Sequence, residues 1–497
     1  MTLLSVDDKR RNWIIWSTLL ALFLGALDAL VMTAAMPTII AELGGLEFYA
    51  WTYTAYFMAR AVSLPIFGKL SDMYPSRVLL LISIGLFLVA SIAAGCSQSM
   101  AFLVVTRVFQ GIGCGGIFAL VYVVLSDVSA PEQRAKTLSF ASVVWGISSL
   151  VGPTLGGFIV TWFSWRWIFF INIPLGIFSL VGIVLYFKEY RVKPVGKNLD
   201  ILGATLLSGF ILGLLTLIIT GGRELAVSSV PYILIAITTV ISGIWFYKVE
   251  VKAANPVLNF NFFKSPSYTL GNVLVFFASF AIFSLFAYAP ILLQGALSQS
   301  PIEIGYAMVS LSIGWSVGSL VAGRKMNNIG QWKLTVVGAV LVVVGTGMTL
   351  TFSLSTGMLD CFVAFLIVGL GMGFVSLTTL LVVQNSVKPA DLGTATSFHQ
   401  FSRTMGGTIG VGLCGGIVTD RLVNELTVAG QNLPGALIEM LKESTANLFQ
   451  TEFQAMIPKG MEPVLQGAVL NSVYLAFIIV FIVSVINLAL SLLLPKK

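Results

Sequence analysis

Five side chains sit where their chemistry is costly. Asp28, Arg60, Arg107, His399 and Arg403 each lie inside a long apolar run. A charge at the centre of a bilayer costs roughly 2.5–3.5 kcal/mol on insertion scales, so such a residue faces a cavity or a partner. Asp28 is the one carboxylate well inside an apolar run. Counting along a helix places it roughly 22 Å from the N-terminal end of its run, with Arg107 at similar depth. The two can pair. Low dielectric favours a protonated carboxyl, and a nearby guanidinium favours the ionised one. A pair that separates in one conformation and re-forms in another therefore takes up and expels a proton. The competing role is a permanent ion pair that ties helices together. Arg60 lies near the midplane, roughly 16 Å from the outer end of its run. It pairs with Asp28, meets an anionic substrate group, or makes a structural ion pair. His399, the single histidine, is a packing residue or a proton relay. Arg403 is the third buried cation.

The elements that position these residues follow from composition. Of 497 residues, 57% are hydrophobic and 10% charged, far below the roughly 25% charged of a soluble domain. With a mean hydropathy of +0.95, the chain reads as a polytopic membrane protein. Apolar runs long enough to cross a bilayer number fourteen. They cover 13–37, 49–70, 78–95, 101–125, 138–162, 167–187, 201–220, 231–247, 270–293, 304–323, 334–354, 359–383, 394–418 and 469–494, the seventh and eighth being the shortest. Lysine and arginine fall on the side of the two termini in roughly fourfold excess, which places both termini in the cytoplasm. The net charge of +7 reflects those basic loops and not a nucleic-acid surface. The basic start Lys9-Arg10-Arg11 precedes an apolar run too long for a signal peptide. Cys96, Cys114, Cys361 and Cys414 lack metal-ligand spacing and read as free buried thiols. A long external segment, 421–466, alternates apolar and charged positions over 433–456, as an amphipathic helix or two covering the outer mouth does.

Glycine spacing adds a second layer. Ser148, Gly152 and Gly156 fall four apart, and Ser149, Pro153 and Gly157 form the neighbouring stripe. Small stripes admit another helix almost to backbone contact, and Pro153 invites a bend. Gly68-Lys-Leu-Ser-Asp72 before Arg77 is echoed by Gly323-Arg-Lys-Met-Asn327. Such a repeat marks a transporter built from two related bundles. Asp72 is placed to accept a charge-assisted bond from a basic residue of the next loop on that side, such as Arg134, and to latch the bundle ends.

These strings resemble motifs of the major facilitator superfamily, in its fourteen-span drug:proton antiporter branch. Ser148 to Gly157 is similar to the antiporter motif of the fifth span. Gly68, Asp72 and Arg77 match the cytoplasmic signature, with Met73 and Pro75 departing from it. Arg107-Val-Phe-Gln110-Gly-Ile-Gly resembles the fourth-span motif, whose arginine is linked to proton coupling. Leu27-Asp28 with Ala35 and Pro37 resembles the first-span motif. Trp165-Arg166-Trp167 through Asn172 and Gly176 resembles the start of span six, here read as an aromatic anchor at the interface. Gly393 to Gly407 resembles span thirteen.

The resemblance implies an all-helical membrane fold of two six-helix bundles plus two extra helices between them. The boundaries are 1–190, 191–265 with cytoplasmic linkers, and 266–497. It implies a monomeric, proton-coupled exporter of small amphipathic or drug-like compounds in the cell membrane. The proton gradient is the energy source, and no cofactor, metal or nucleic-acid partner is expected. A transporter of the same fold for lipids, siderophores, peptides or other anionic amphiphiles is the alternative; Arg60, His399 and Arg403 are the candidates for the substrate cavity, and the excess of arginine over aspartate inside the spans does not favour a dedicated exporter of organic cations. A membrane enzyme would need clustered nucleophile, acid, base or metal ligands, which one histidine and scattered cysteines do not supply. No Walker-type phosphate loop is present, so ATP is not the expected energy source.

Overall fold

The structure is a computed structural model that describes residues 7–45, 48–189, 198–220, 228–429 and 462–496. Among the described residues the regular elements are all helical. The first half contains α1 (Asp8–Leu43), α2 (Tyr49–Met73), α3 (Ser76–Gly95), α4 (Met100–Asp127) and α5 (Pro131–Trp162). A short α6 (Trp167–Phe170) then leads into α7 (Asn172–Tyr186). Next come α8 (Ile201–Thr220) and α9 (Val230–Glu250). The second half contains α10 (Pro266–Gly295), α11 (Pro301–Ile329), α12 (Gln331–Thr349), α13 (Met358–Asn385), α14 (Leu392–Ala429) and α15 (Glu462–Leu492).

Local sequence sets the helix ends. Ser99, Ser229 and Ser300 cap α4, α9 and α11 through their hydroxyls, and Glu303 completes a capping box. Pro131 and Pro266 open α5 and α10 at the first helical position, where a missing N–H costs nothing. Gly330 ends α11 at φ 89°, a left-handed conformation that glycine adopts without penalty. Among the described residues twelve segments are long and apolar enough to cross a membrane, α6 and α7 together forming one of them. Helices α2 and α14 are also long, at 25 and 38 residues. They carry the polar residues that lower their hydropathy, Arg60 and Asp72 in α2 and His399 and Arg403 in α14.

Two helix boundaries differ from the sequence expectation. α14 continues past 418 to Ala429, and α15 begins at Glu462. Both ends of the expected external segment 421–466 are therefore helical. At 1.5 Å per residue α14 is roughly 57 Å long, well beyond a 30 Å hydrocarbon core. The expected amphipathic helix over 433–456 lies outside the described residues, as does most of the basic linker after α7.

Helices α1 to α5 and α7 share a core that includes Leu22, Phe87 and Ile117 and continues into Ala322 and Phe374 of the second half, and α10 to α15 pack around another that includes Leu285, Phe365 and Phe477. Missing side chains bring backbones together. A Cβ on Gly113 of α4 would lie 2.8 Å from the Ser83 carbonyl oxygen of α3. The halves meet along two seams, α2 against α14 and α5 against α11. Helix α8 lies across the first seam, where Leu207, Ile211 and Leu215 share a cluster with Met58 and Ala61 of α2 and Met405 of α14. α9 packs on α8 and turns Ile237, Val240 and Trp245 outward. Three of the four thiols are buried as expected, whereas Cys96, just past the end of α3, is exposed.

Candidate functional site

Asp28 and Arg107 meet. Arg107 Nη1 donates to Asp28 Oδ2 at 2.6 Å, with both side chains almost fully buried. The pair is the centre of a network drawn from five helices of the first half. Asn172 Nδ2 of α7 donates to Asp28 Oδ1 at 2.9 Å, and Gln110 Nε2 of α4 reaches the same oxygen at 3.4 Å. Gln110 also donates to Ser91 Oγ of α3 at 2.8 Å and accepts from Arg107 at 2.9 Å. Arg107 Nε donates to the Thr52 carbonyl of α2 at 3.3 Å. Its guanidinium covers the Tyr56 ring at 4.1 Å, and the Tyr56 hydroxyl donates to the Gly25 carbonyl at 3.2 Å. Both carboxylate oxygens thus accept hydrogen bonds, which is how a buried charge is tolerated.

Asn172 is the residue the sequence reading misplaced. It stands in the string read as an interfacial anchor, yet it is fully buried on the carboxylate. The signal was present, since a lone amide inside an apolar span needs a polar partner. Trp165 is corrected as well. It is buried and donates through Nε1 to Glu42 Oε2 at 2.6 Å, while Arg166 binds Glu42 Oε1 at 2.6 Å. This makes a clasp between the end of α1 and the turn before α6. Arg166 and Trp165 hold the Glu42 carboxyl below its usual range by hydrogen bonding. The outward aromatics of this region are Trp162 and Trp167.

Arg60 does not pair with Asp28. Its guanidinium lies over the rings of Phe57 and Phe118 at 4.7 and 5.3 Å, and more loosely over Tyr56 at 5.9 Å. Arg403 of α14 lies between Trp315 of α11 at 4.8 Å and Trp145 of α5 at 5.4 Å. His399 is fully buried, with Nε2 3.0 Å from Thr379 Oγ1 of α13 and Nδ1 without a hydrogen-bond partner.

Asp72 clamps the two halves, and its partner differs from the expected Arg134. Asp72 Oδ1 accepts from the Gly393 amide, and Oδ2 from the Thr394 amide and hydroxyl, each at 2.7 Å. These are first-turn donors of α14, which have no acceptor within their own helix and favour an anion. Arg134 lies in the field of Asp127 instead. Arg77 also leaves the latch. It donates to the Val184 carbonyl at 2.6 Å and so secures the end of α7. Gly68 permits the clamp, because a Cβ there would overlap Ser397 and come within 2.9 Å of the Gly393 carbonyl.

The antiporter motif splits. Ser148, Gly152 and Gly156 are buried, and a Cβ on Gly152 would sit 2.7 Å from the Leu30 Cβ of α1. The second stripe does not admit a helix to backbone contact. Pro153 is exposed and the Cβ direction of Gly157 is open. Only Ser149 reaches across, to Ser312 Oγ of α11 at 2.7 Å.

Two helical halves, clamped together at one end and carrying buried charges, define a membrane transporter of the two-bundle kind. The major facilitator superfamily profile matches residues 18–411, and the chain belongs to that family. It is 29% identical over 490 residues to the multidrug transporter protein MdtP of Bacillus subtilis, covering 95% of this chain and 90% of that one. It is 28% identical over 474 residues to multidrug resistance protein 3 of Bacillus subtilis, covering 95% and 92%. Its fold matches the solved proton:xylose symporter XylE with a TM-score of 0.63 at 13% identity, covering 99% of this chain and 97% of that one. The protein is a multi-pass membrane transporter.

Proposed function

We propose that the chain is a proton-coupled antiporter that exports amphipathic, drug-like compounds by alternating access. The reading places it in the cell membrane as a monomer with both termini in the cytoplasm. Fourteen crossings follow if α2 and α14 join the twelve apolar segments. The N-terminal bundle is 1–190, the two extra helices lie in 191–265 and the C-terminal bundle is 266–497. The similarity to multidrug transporters supports the substrate class. In this orientation the Asp72 clamp shuts the cytoplasmic side. The proton gradient supplies the energy, and the chemistry requires no cofactor.

The buried Asp28–Arg107 pair carries the reading. A carboxylate held by a guanidinium is ionised, and withdrawal of that cation favours protonation. Each protonation state then favours a different conformation, which is what exchange requires. Tyr56 supplies a physical link, because its ring lies under Arg107 and within 5.9 Å of Arg60. A structural reading competes on a specific observation. Asp28 takes its recorded bonds from helices of one half, so rigid rocking of the halves leaves them intact.

Asp28→Asn separates the two. Protein level, proton-driven uptake into inverted vesicles of amphipathic probes of negative, zero and positive charge, and gradient-free counterflow of those the native protein transports are measured on one preparation. Coupling predicts that the folded fraction, although less stable, retains counterflow and loses proton-driven uptake. Full proton-driven uptake eliminates the coupling role, and loss of folded protein assigns the pair to structure.

A further inference from the structure

Arg60 and Arg403 are buried cations whose charges the protein leaves uncompensated. They are 8% and 7% exposed. Among the described residues neither makes a salt bridge, whereas Arg107 does. Ring contacts do not satisfy the donors of Arg60, whereas Arg403 has beside its rings a 3.4 Å bond to Gln400 Oε1 and a contact with Tyr122, neither of them an anionic partner. A cation–π contact uses the face of the guanidinium, while its N–H donors point outward in the plane. Arg60 Nε and Nη1 are buried with no hydrogen-bond partner, and so is Trp315 Nε1. Every one of these orphaned groups is a donor. A buried donor without an acceptor is destabilising, and the complement of several donors around two positive charges is an anion.

The two arginines also share one surface. Arg60 lies on Phe118, Phe118 contacts Trp145 with ring centroids 5.5 Å apart, and Arg403 lies on Trp145 and Trp315. An aromatic wall therefore crosses from the first half to the second with a guanidinium at each end. One arginine belongs to each half, so rocking of the halves changes their separation. A ligand bound to both senses the conformational change directly.

We propose that the aromatic wall between Arg60 and Arg403 binds amphiphiles bearing a carboxylate or sulfonate beside an apolar ring system. The proposal rests on the exporter reading and names its substrate class as anionic. The acid group takes the free donors of Arg60 and Trp315 together with the charge of Arg403. The apolar body lies against Phe118 and Trp145. A permanent cation meets two like charges there.

The test uses three probes of one shape and different charge: 1-pyrenebutyrate, 1-pyrenebutanol and 1-pyrenebutyl-trimethylammonium. Binding to the purified full chain in neutral detergent is read by energy transfer from tryptophan to pyrene, with no proton gradient. The carboxylate binds about tenfold or more tightly than the alcohol, in keeping with hydrogen bonds to charged groups. The ammonium binds more weakly than the alcohol. Arg60→Gln and Arg403→Gln each bring carboxylate affinity to within about threefold of the alcohol while leaving alcohol affinity unchanged, and Arg60→Lys keeps part of the preference. Equal affinity of the unmodified protein for carboxylate and alcohol overturns the proposal without recourse to any variant, as does tighter binding of the ammonium. Both results mean that water satisfies the arginines. Failure of proton-driven transport leaves the charge preference standing, so the two readings fail separately.

Discussion

Asp72 and Asn327 stand at matching places in the two halves and join those halves at the same end of the molecule. Each follows a glycine by four residues, Gly68 and Gly323. Asp72 accepts from the first turn of α14, and Asn327 Nδ2 donates to the Glu132 carbonyl in the first turn of α5 at 2.9 Å. The glycines match too. A Cβ on Gly323 would lie 2.9 Å from the Ala135 carbonyl oxygen, as one on Gly68 would from that of Gly393. A repeated motif thus seals both seams, α2 on α14 and α11 on α5.

Loss of the Asp72 carboxylate therefore opens both seams together. A hydrogen bond to a charged group is worth about 1.5–3 kcal/mol, and Asp72 accepts from three donors of the other half. Asp72→Ala is expected to speed maleimide labelling of Ser139→Cys, a fully buried position on the second seam, by about tenfold or more in a cysteine-free background. Asp72→Asn keeps one acceptor oxygen and falls between. Unchanged labelling shows that the clamp does not hold this end shut.

The two stripes of the antiporter motif separate by substitution. At Gly152 a side chain meets Leu30 of α1, and overpacking of this kind costs about 1–3 kcal/mol. Gly152→Leu is expected to lower the thermal unfolding temperature in detergent and to reduce transport. Gly157→Leu enters open space and leaves the unfolding temperature unchanged. Equal destabilisation by the two means that the second stripe is also a packing surface.

Elements and partners were unequally legible in the sequence. Apolar runs locate most helices, because one bilayer thickness fixes their length. Matching depth makes an Asp28–Arg107 pair possible, and the structure forms it. Helix rotation is not encoded by depth. The sequence therefore does not say that Arg60 turns to Phe57 and Phe118, or that Gly157 faces open space while Gly152 faces Leu30. Asn172 was hidden by its tryptophan neighbours, which satisfy an interfacial motif on composition. The true partner of Asp72 was hidden for another reason. Backbone amides at a helix start are in no residue's side chain, so side-chain chemistry alone points to a basic residue such as Arg134.

The Glu42 clasp gives the C-terminal end of α1 a pH dependence of known sign. Arg166 and Trp165 lower the carboxyl's affinity for protons in the folded state. A depressed carboxyl contributes stability above its unfolded value, and that contribution is lost as pH falls through the folded one. Unfolding temperatures of the native chain and Glu42→Gln are expected to differ at pH 7 and to converge as the pH falls below about 4. A difference that persists in acid assigns the clasp to packing of Trp165 and not to charge.

The Asp28–Arg107 pair is asymmetric, and the asymmetry is measurable. Removing one partner of a buried pair costs about 3–5 kcal/mol, because the other charge is stranded. The stranded groups differ. Asp28 retains the amides of Asn172 and Gln110 and, as a carboxyl, can take up a proton. Arg107 retains the Gln110 and Thr52 oxygens and cannot give up its charge. Asp28→Asn is therefore expected to destabilise more than Arg107→Gln, and the double variant to be more stable than Asp28→Asn alone. Thermal unfolding of the three proteins in one detergent gives the order. Additive losses in the double variant mean that the two residues act independently in spite of their 2.6 Å contact. Recovered stability without recovered proton-driven transport shows that this contact serves coupling as well as the fold.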